Sequence, residues 1–180
     1  MDVLEAIKTR RSVRSYDPRP IPPEVLERMR QALRLAPSAC NFQPWQFILV
    51  TDADLRRRLA RAANDQTWMA DAPVIVVGCG SPEAAYKHMG GDGNSVDIDV
   101  AIALDHLMLA AVAEGLATCW IGAFHGEQVK RLLGVPPTVK VVGMTPLGYP
   151  SSPDLNRPVE DAHRKPAAQV FSSNRYGAAL

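Results

Sequence analysis

Cysteine is scarce in this chain, and its few copies do not pair. Cys40, Cys79 and Cys119 are the only three among 180 residues. They are odd in number, far apart and never in a CxxC pair, which argues against a disulfide framework or a zinc ribbon. A reducing, cytoplasmic setting is expected. Aromatic residues are also few, at 6%, and no run approaches the roughly 18 apolar residues that mark a membrane-spanning helix. A dominant charge is missing too: 20 Lys and Arg against 19 Asp and Glu leave +1 with neutral histidines. No global field therefore favours nucleic acid or anionic lipid. The opening MDVLEAIKT lacks the basic and apolar regions of a secretory signal. His88, His106, His125 and His163 are scattered without ligand spacing, so no metal site is expected. What is present is a 47% apolar composition. At this length it can fill one core, burying about 70% of the unfolded chain's surface without staples. The expectation is one soluble domain over residues 1–180.

Periodicity sets the elements. Val3, Leu4 and Ile7 predict a helix over 2–9. Pro18, Pro20, Pro22 and Pro23 make 16–23 an extended arm. Pro23 then opens a helix with Val25, Leu26, Met29 and Leu33 on one stripe, ending before Pro37. WQFILV at 45–50 reads as a buried strand. Asp52 is placed to cap a helix over 54–63, which carries Arg56, Arg57, Arg58 and Arg61 on a solvated face. A second strand covers 73–79. The segment 81–95, with Gly90, Gly91 and Gly93, predicts a loop or lid containing a helical turn. Residues 96–114 are apolar around most of the circumference, a central buried helix stopped by Gly115. A third strand is expected over 116–124, a short helix over 127–133 and a fourth strand over 139–144. The tail from Gly148 is rich in Pro and Ser and holds a further strand or helix at 167–171. A tail of this length is expected to reach over a partner subunit. Helices alternating with strands in this way imply a sheet covered on both faces, an α/β/α layered sandwich of the α/β or α+β kind.

Two segments carry candidate chemistry. RRSVR puts Arg10, Arg11 and Arg14 beside Ser12, and a guanidinium is a planar fork suited to bidentate phosphate binding. The plain alternative is a solvated basic turn. Between Pro37 and Pro44, a loop bears Ser38, Asn41 and Gln43, donors and acceptors that suit the edge of a polar ring, or equally ordinary loop capping. Val77-Gly78-Cys79-Gly80 follows a strand but lacks the third glycine of a dinucleotide fingerprint. Cys79 and Cys119 sit in apolar strand patterns as inert thiols.

Together, RRSVR, the P-S-x-x-N-x-Q-P-W loop, GLATCWIGAF and VVGMTPLGYP resemble, in order and over nearly the whole chain, the nitroreductase family of flavoproteins. The resemblance implies an α+β fold with a central, mostly antiparallel sheet flanked by helices. It also implies a homodimer with FMN in the subunit interface, and a tail extending across the partner. Carried over by position, Arg10, Arg11, Ser12 and Arg14 hold the FMN ribityl chain and phosphate. Pro37, Ser38, Ala39, Cys40 and Asn41 come from the other subunit, with Gln43 in the same loop. Trp120, Ile121, Gly122 and Ala123 lie along the isoalloxazine, the Gly122 N–H pointing to N5. Arg164 or Lys165 supplies a second phosphate contact, Arg164 being favoured. Cys40 stands where many relatives carry Ser or Thr, and the family often has an acidic residue where Gly122 aligns.

The activity so implied is ping-pong hydride transfer from NAD(P)H through FMN to a nitroaromatic, quinone or similar small acceptor. No protein acid or base is assigned as essential, because the cofactor carries the chemistry. Two alternatives remain open within the resemblance. One is a reductive dehalogenase or flavin-consuming enzyme of the same fold, to which Glu83, Tyr86 and Lys87 in the lid supply residue types without matched spacing. The other is a flavin-binding protein without turnover.

Overall fold

A computed structural model describes residues 1–91 and 93–179; Asp92, within the 81–95 loop, and the terminal Leu180 lie outside the described residues. Among the described residues the α-helices are α1 (Val3–Thr9), α2 (Pro23–Arg34), α3 (Ala53–Ala62), α4 (Val96–Ala113), α5 (Gly126–Leu133) and α6 (Ala167–Val170). Five strands are β1 (Tyr16–Asp17), β2 (Trp45–Val50), β3 (Val74–Gly80), β4 (Ala117–Thr118) and β5 (Lys140–Pro150). They form one sheet in the order β1-β5-β3-β2, with β4 also on β5, and every pairing between named strands is antiparallel.

Strand β3 explains the layering. All seven of its residues are buried, and alternate side chains leave opposite faces of a strand. Val74 and Val76 enter one core with Met29 and Leu33 of α2 and Val100, Leu104 and Leu107 of α4. Ile75 and Val77 enter a second core with Leu59 of α3, Val129 of α5 and Met144. Helices thus cover both faces, and the expected α+β sandwich is what the chain forms. Local chemistry places the helix ends. Asp52 Oδ1 accepts the Leu55 N–H at 2.7 Å, and Gly134 ends α5 at φ +66°, a conformation glycine adopts without penalty. Among the described residues no helix is long and apolar enough to cross a membrane.

Four expectations need correction. Strand β2, expected to be buried, is the edge of the sheet, and only Val50 in it is buried. The third strand does not run over 116–124. Only Ala117–Thr118 is regular, followed by a single bridge from Ile121 to Met144. Between them the Cys119 N–H turns to the Thr145 hydroxyl at 3.2 Å, while the Trp120 indole covers Gly143, where a Cβ would lie 2.9 Å from the ring. Strand β5, expected to stop at 144, continues to Pro150 and becomes the spine of the sheet. Proline ordinarily interrupts a central strand. Here Pro146 falls between Leu147, paired with Thr118, and Met144, bridged to Ile121, where β5 lacks a partner on that flank. Arg56 is not on the solvated face of α3: its guanidinium is partly buried and donates to the Ala70 and Ala72 carbonyls. Residues 167–171, open between strand and helix, form the short helix α6 and an exposed Phe171.

Candidate functional site

The RRSVR segment leaves α1 and is fixed at once to β4. Ser12 bridges Thr118 in parallel, the Val13 N–H donates to the Thr118 carbonyl at 3.0 Å, and the Tyr16 hydroxyl reaches back to the Val13 carbonyl at 2.8 Å. The segment therefore lies beside 119–123. Burial pushes the Cys119 thiol up, opposed by Arg14, the Ser12 hydroxyl and Arg10.

On the outer side of this segment is a cleft of about 560 Å³, walled by Arg10, Arg11 and Ser12 and by tail residues that include Arg157, His163 and Arg164. Contacts that hold the tail there include the Val159 N–H donating to the Lys8 carbonyl at 3.0 Å and Asn156 Nδ2 to the Leu116 carbonyl at 2.9 Å. Arg11 is the crowded member. Its Nη1 donates to the Arg10 carbonyl, but its Nη2 is buried without a hydrogen-bond partner. Burial, then the charges of Arg10, Arg164 and Arg157, lower the Arg11 pKa from its ordinary value. A cation so placed is held at a cost that an anion would remove, because a buried unpaired donor is penalised and an oxyanion satisfies it with a strong, charge-assisted bond. Asp154 and Glu160 also line the cleft, so its cationic character is concentrated rather than unopposed.

The other expected residues are placed as follows. Arg164 lines this cleft; Lys165 instead lines a neighbouring hollow of about 1060 Å³. Arg14, the last residue of the segment, is exposed and outside the cleft wall. None of residues 37–43 reaches the cleft within one chain. That loop joins α2 to β2 and is wound tightly: Cys40, Asn41 and Gln43 have φ of 50°, 56° and 50°, a left-handed region that non-glycine residues visit rarely and often at functional sites. The Ser38 hydroxyl oxygen accepts the Gln43 N–H at 2.9 Å. Trp120 is 38% exposed, and Ile121 is buried. Gly122 and Ala123 are exposed. A Cβ on Gly122 would sit 3.1 Å from the Trp120 indole nitrogen, so glycine here keeps that ring in place. Arg157 and His163 were missed because they stand alone in a Pro-rich tail; only the fold brings them to Arg10 and Arg11.

A model of the nitroreductase family matches residues 7–73 and 61–149. The chain belongs to the nitroreductase family. It is 33% identical over 168 residues to a protein of Methanothermobacter thermautotrophicus, covering 91% of this chain and 85% of that one, whose name, NADH dehydrogenase/NAD(P)H nitroreductase, is itself provisional. A crystal structure of a nitroreductase family protein from Clostridium difficile superposes with a TM-score of 0.86 at 27% identity, over 97% of this chain and 99% of that one. The NADPH:FMN oxidoreductase of Vibrio harveyi, solved with NAD+, does so at 0.82 and 28%, over 97% and 77%. The family match stops at residue 149, just before the tail that closes the arginine cleft.

Proposed function

We propose that this nitroreductase-family chain is an NAD(P)H-dependent FMN oxidoreductase that reduces nitroaromatic, quinone or similar acceptors. The observation that carries the reading is the cleft in which Arg10, Arg11, Arg157 and Arg164 converge and Arg11 Nη2 is left without a partner. Those donors fit a terminal phosphate, and the strip 120–123 beside them fits a flat ring system. FMN, when bound, supplies the hydride chemistry, taking hydride from NAD(P)H and passing it to an acceptor. The chain's own residues bind and orient. Arg10, Arg11, Arg164 and Ser12 grip the phosphate, with Arg157 as an added guanidinium. Arg14 would hold the ribityl chain, and the backbone N–H at Gly122 would serve the ring. Donor and acceptor would bind in turn, a ping-pong order.

The reading includes a homodimer, with 37–43 of one subunit meeting the cleft of the other. Its support is apolar surface without cover. Helix α4 is apolar around most of its circumference yet leaves Ile98 49% exposed, α1 exposes Val3, Leu4 and Ile7, and the last part of the tail exposes Val170, Phe171 and Tyr176. Exposed apolar residues on three elements are what an interaction surface would cover. The dehalogenase alternative has relatives of its own, iodotyrosine deiodinases 24–27% identical over 89–94% of this chain, but Glu83 and Lys87 are exposed and among the described residues no hydrogen bond joins Glu83, Tyr86 and Lys87 to one another.

The test is a visible absorption spectrum of freshly purified protein, before and after anaerobic NADH or NADPH. A flavin spectrum that bleaches with either donor and returns with added acceptor is expected. A colourless protein that ignores added FMN overturns the reading; bound flavin that neither donor reduces leaves a binding protein.

A further inference from the structure

Asp99 lies outside every feature named so far. It sits in the first turn of α4, is 2% exposed and has both carboxylate oxygens engaged. Oδ1 accepts the Ala39 N–H at 3.0 Å. Oδ2 accepts the Ser95 hydroxyl at 2.6 Å. Ser95 is itself fully buried, and its oxygen accepts the Tyr86 N–H at 3.2 Å while its own N–H donates to the Tyr86 carbonyl at 2.9 Å. Ser95 is the N-cap of α4, where a serine oxygen ordinarily accepts an amide of its own helix. Here it makes no such bond and is turned to the 81–95 loop and to Asp99 instead. The carboxylate is tolerated without a cation because a helix N-terminus favours negative charge and charge-assisted bonds fill its lone pairs.

We infer that Asp99 is a positioning residue that joins the 37–43 loop and the 81–95 loop into one unit, so that the wall of the flavin site and its lid are set together. The inference deepens the flavin reading above and rests on it for its effect on FMN. The two loops meet a second time where Phe42 and Tyr86 lie 6.4 Å apart between ring centroids. The Ala39 bond immediately precedes the left-handed run at Cys40 and Asn41, so it fixes the point from which that strained run departs.

Three variants separate the links. Ser95→Ala cuts only the lid side: tryptic cleavage after the exposed Lys87 should quicken about tenfold, with hydrogen exchange at the Ala39 amide and FMN affinity staying within about twofold of wild type. Asp99→Ala cuts both: cleavage and Ala39 exchange should both quicken, and FMN affinity should fall about tenfold, because a loop no longer fixed at Ala39 must be ordered on binding. Asp99→Asn, which can accept from Ala39 and donate to Ser95, should restore most of each. The inference is overturned if Asp99→Ala leaves Lys87 cleavage and Ala39 exchange at wild-type rates, or if Ser95→Ala frees both loops equally. Should Asp99→Ala fail to fold, Ser95→Ala with Asp99→Asn decides by the same two readouts. Neither readout needs flavin, so a wild-type protein that ignores FMN fails the flavin reading while the loop junction is still judged.

Discussion

Arg11 carries the sharpest test at the scale of single residues. A buried guanidinium nitrogen without a partner gains when phosphate arrives, and a hydrogen bond to a charged group contributes about 1.5–3 kcal/mol. Arg11→Ala should therefore weaken FMN binding by roughly ten- to a hundredfold in a flavin-fluorescence titration. Lys165→Ala should stay within about twofold, since Lys165 faces a different hollow; the reverse order would exchange their roles. Cys79 gives a pH prediction. Burial pushes its thiol from 9.0 up to about 11. The unfolded thiol ionises first as pH rises, so the unfolded state holds fewer protons and stability falls between about pH 9 and pH 11, with no contribution below that window. The loss approaches about 2–3 kcal/mol. Denaturant melts of wild type and Cys79→Ala should converge across that window, and parallel curves would remove Cys79 from the account. Arg10 to Arg14 could be singled out as candidate phosphate ligands because a cluster of guanidinium groups next to a serine is local chemistry. Arg157 was not, since nothing adjacent in sequence marks it.

At the scale of elements, α4 rests on β3 at a glycine. A Cβ at Gly78 would lie 2.8 Å from Val100 Cγ1 and 3.0 Å from Leu104 Cδ1. Gly78→Ala should thus force the helix off the sheet and destabilise by about 1–3 kcal/mol, lowering Tm by about 2–4 °C for each kcal/mol in a chain of this size. An unchanged Tm would mean that the helix shifts freely. The cap of α3 should be worth about 1 kcal/mol, read as the destabilisation of Asp52→Ala by chemical denaturation. Helix positions were visible in the sequence because capping residues, prolines and apolar spacing act within one or two turns. The limits of β4 and β5 were not visible. Whether 119–124 continues as strand depends on the Trp120 ring lying over Gly143, and whether Pro146 can sit within β5 depends on a gap in pairing that β4 leaves.

At the scale of the whole molecule, the proposed dimer would cover exposed apolar residues of α1, α4 and the final tail with a second copy. Light scattering at micromolar protein should give the mass of a dimer. A chain ending at Pro166 keeps the arginine cleft intact while losing Val170, Phe171 and Tyr176. That chain should dimerise more weakly and lose FMN affinity in proportion. A monomeric full-length protein, or a truncated chain that binds FMN as tightly as wild type, would separate the tail from both roles.

Taken alone, the sequence determined the helices, the two-sided burial of β3, the identity of the basic segment and the family. Each rests on spacing and residue chemistry that neighbours along the chain express. Tertiary structure alone decided that the tail returns to Lys8 and Leu116 and carries Arg157, His163 and Arg164 to Arg10 and Arg11. It alone decided that Arg11 is left with an unpaired nitrogen, and that a carboxylate on α4 ties two distant loops. Those outcomes depend on which groups are buried together, and burial is a property of the packed molecule that no local pattern encodes.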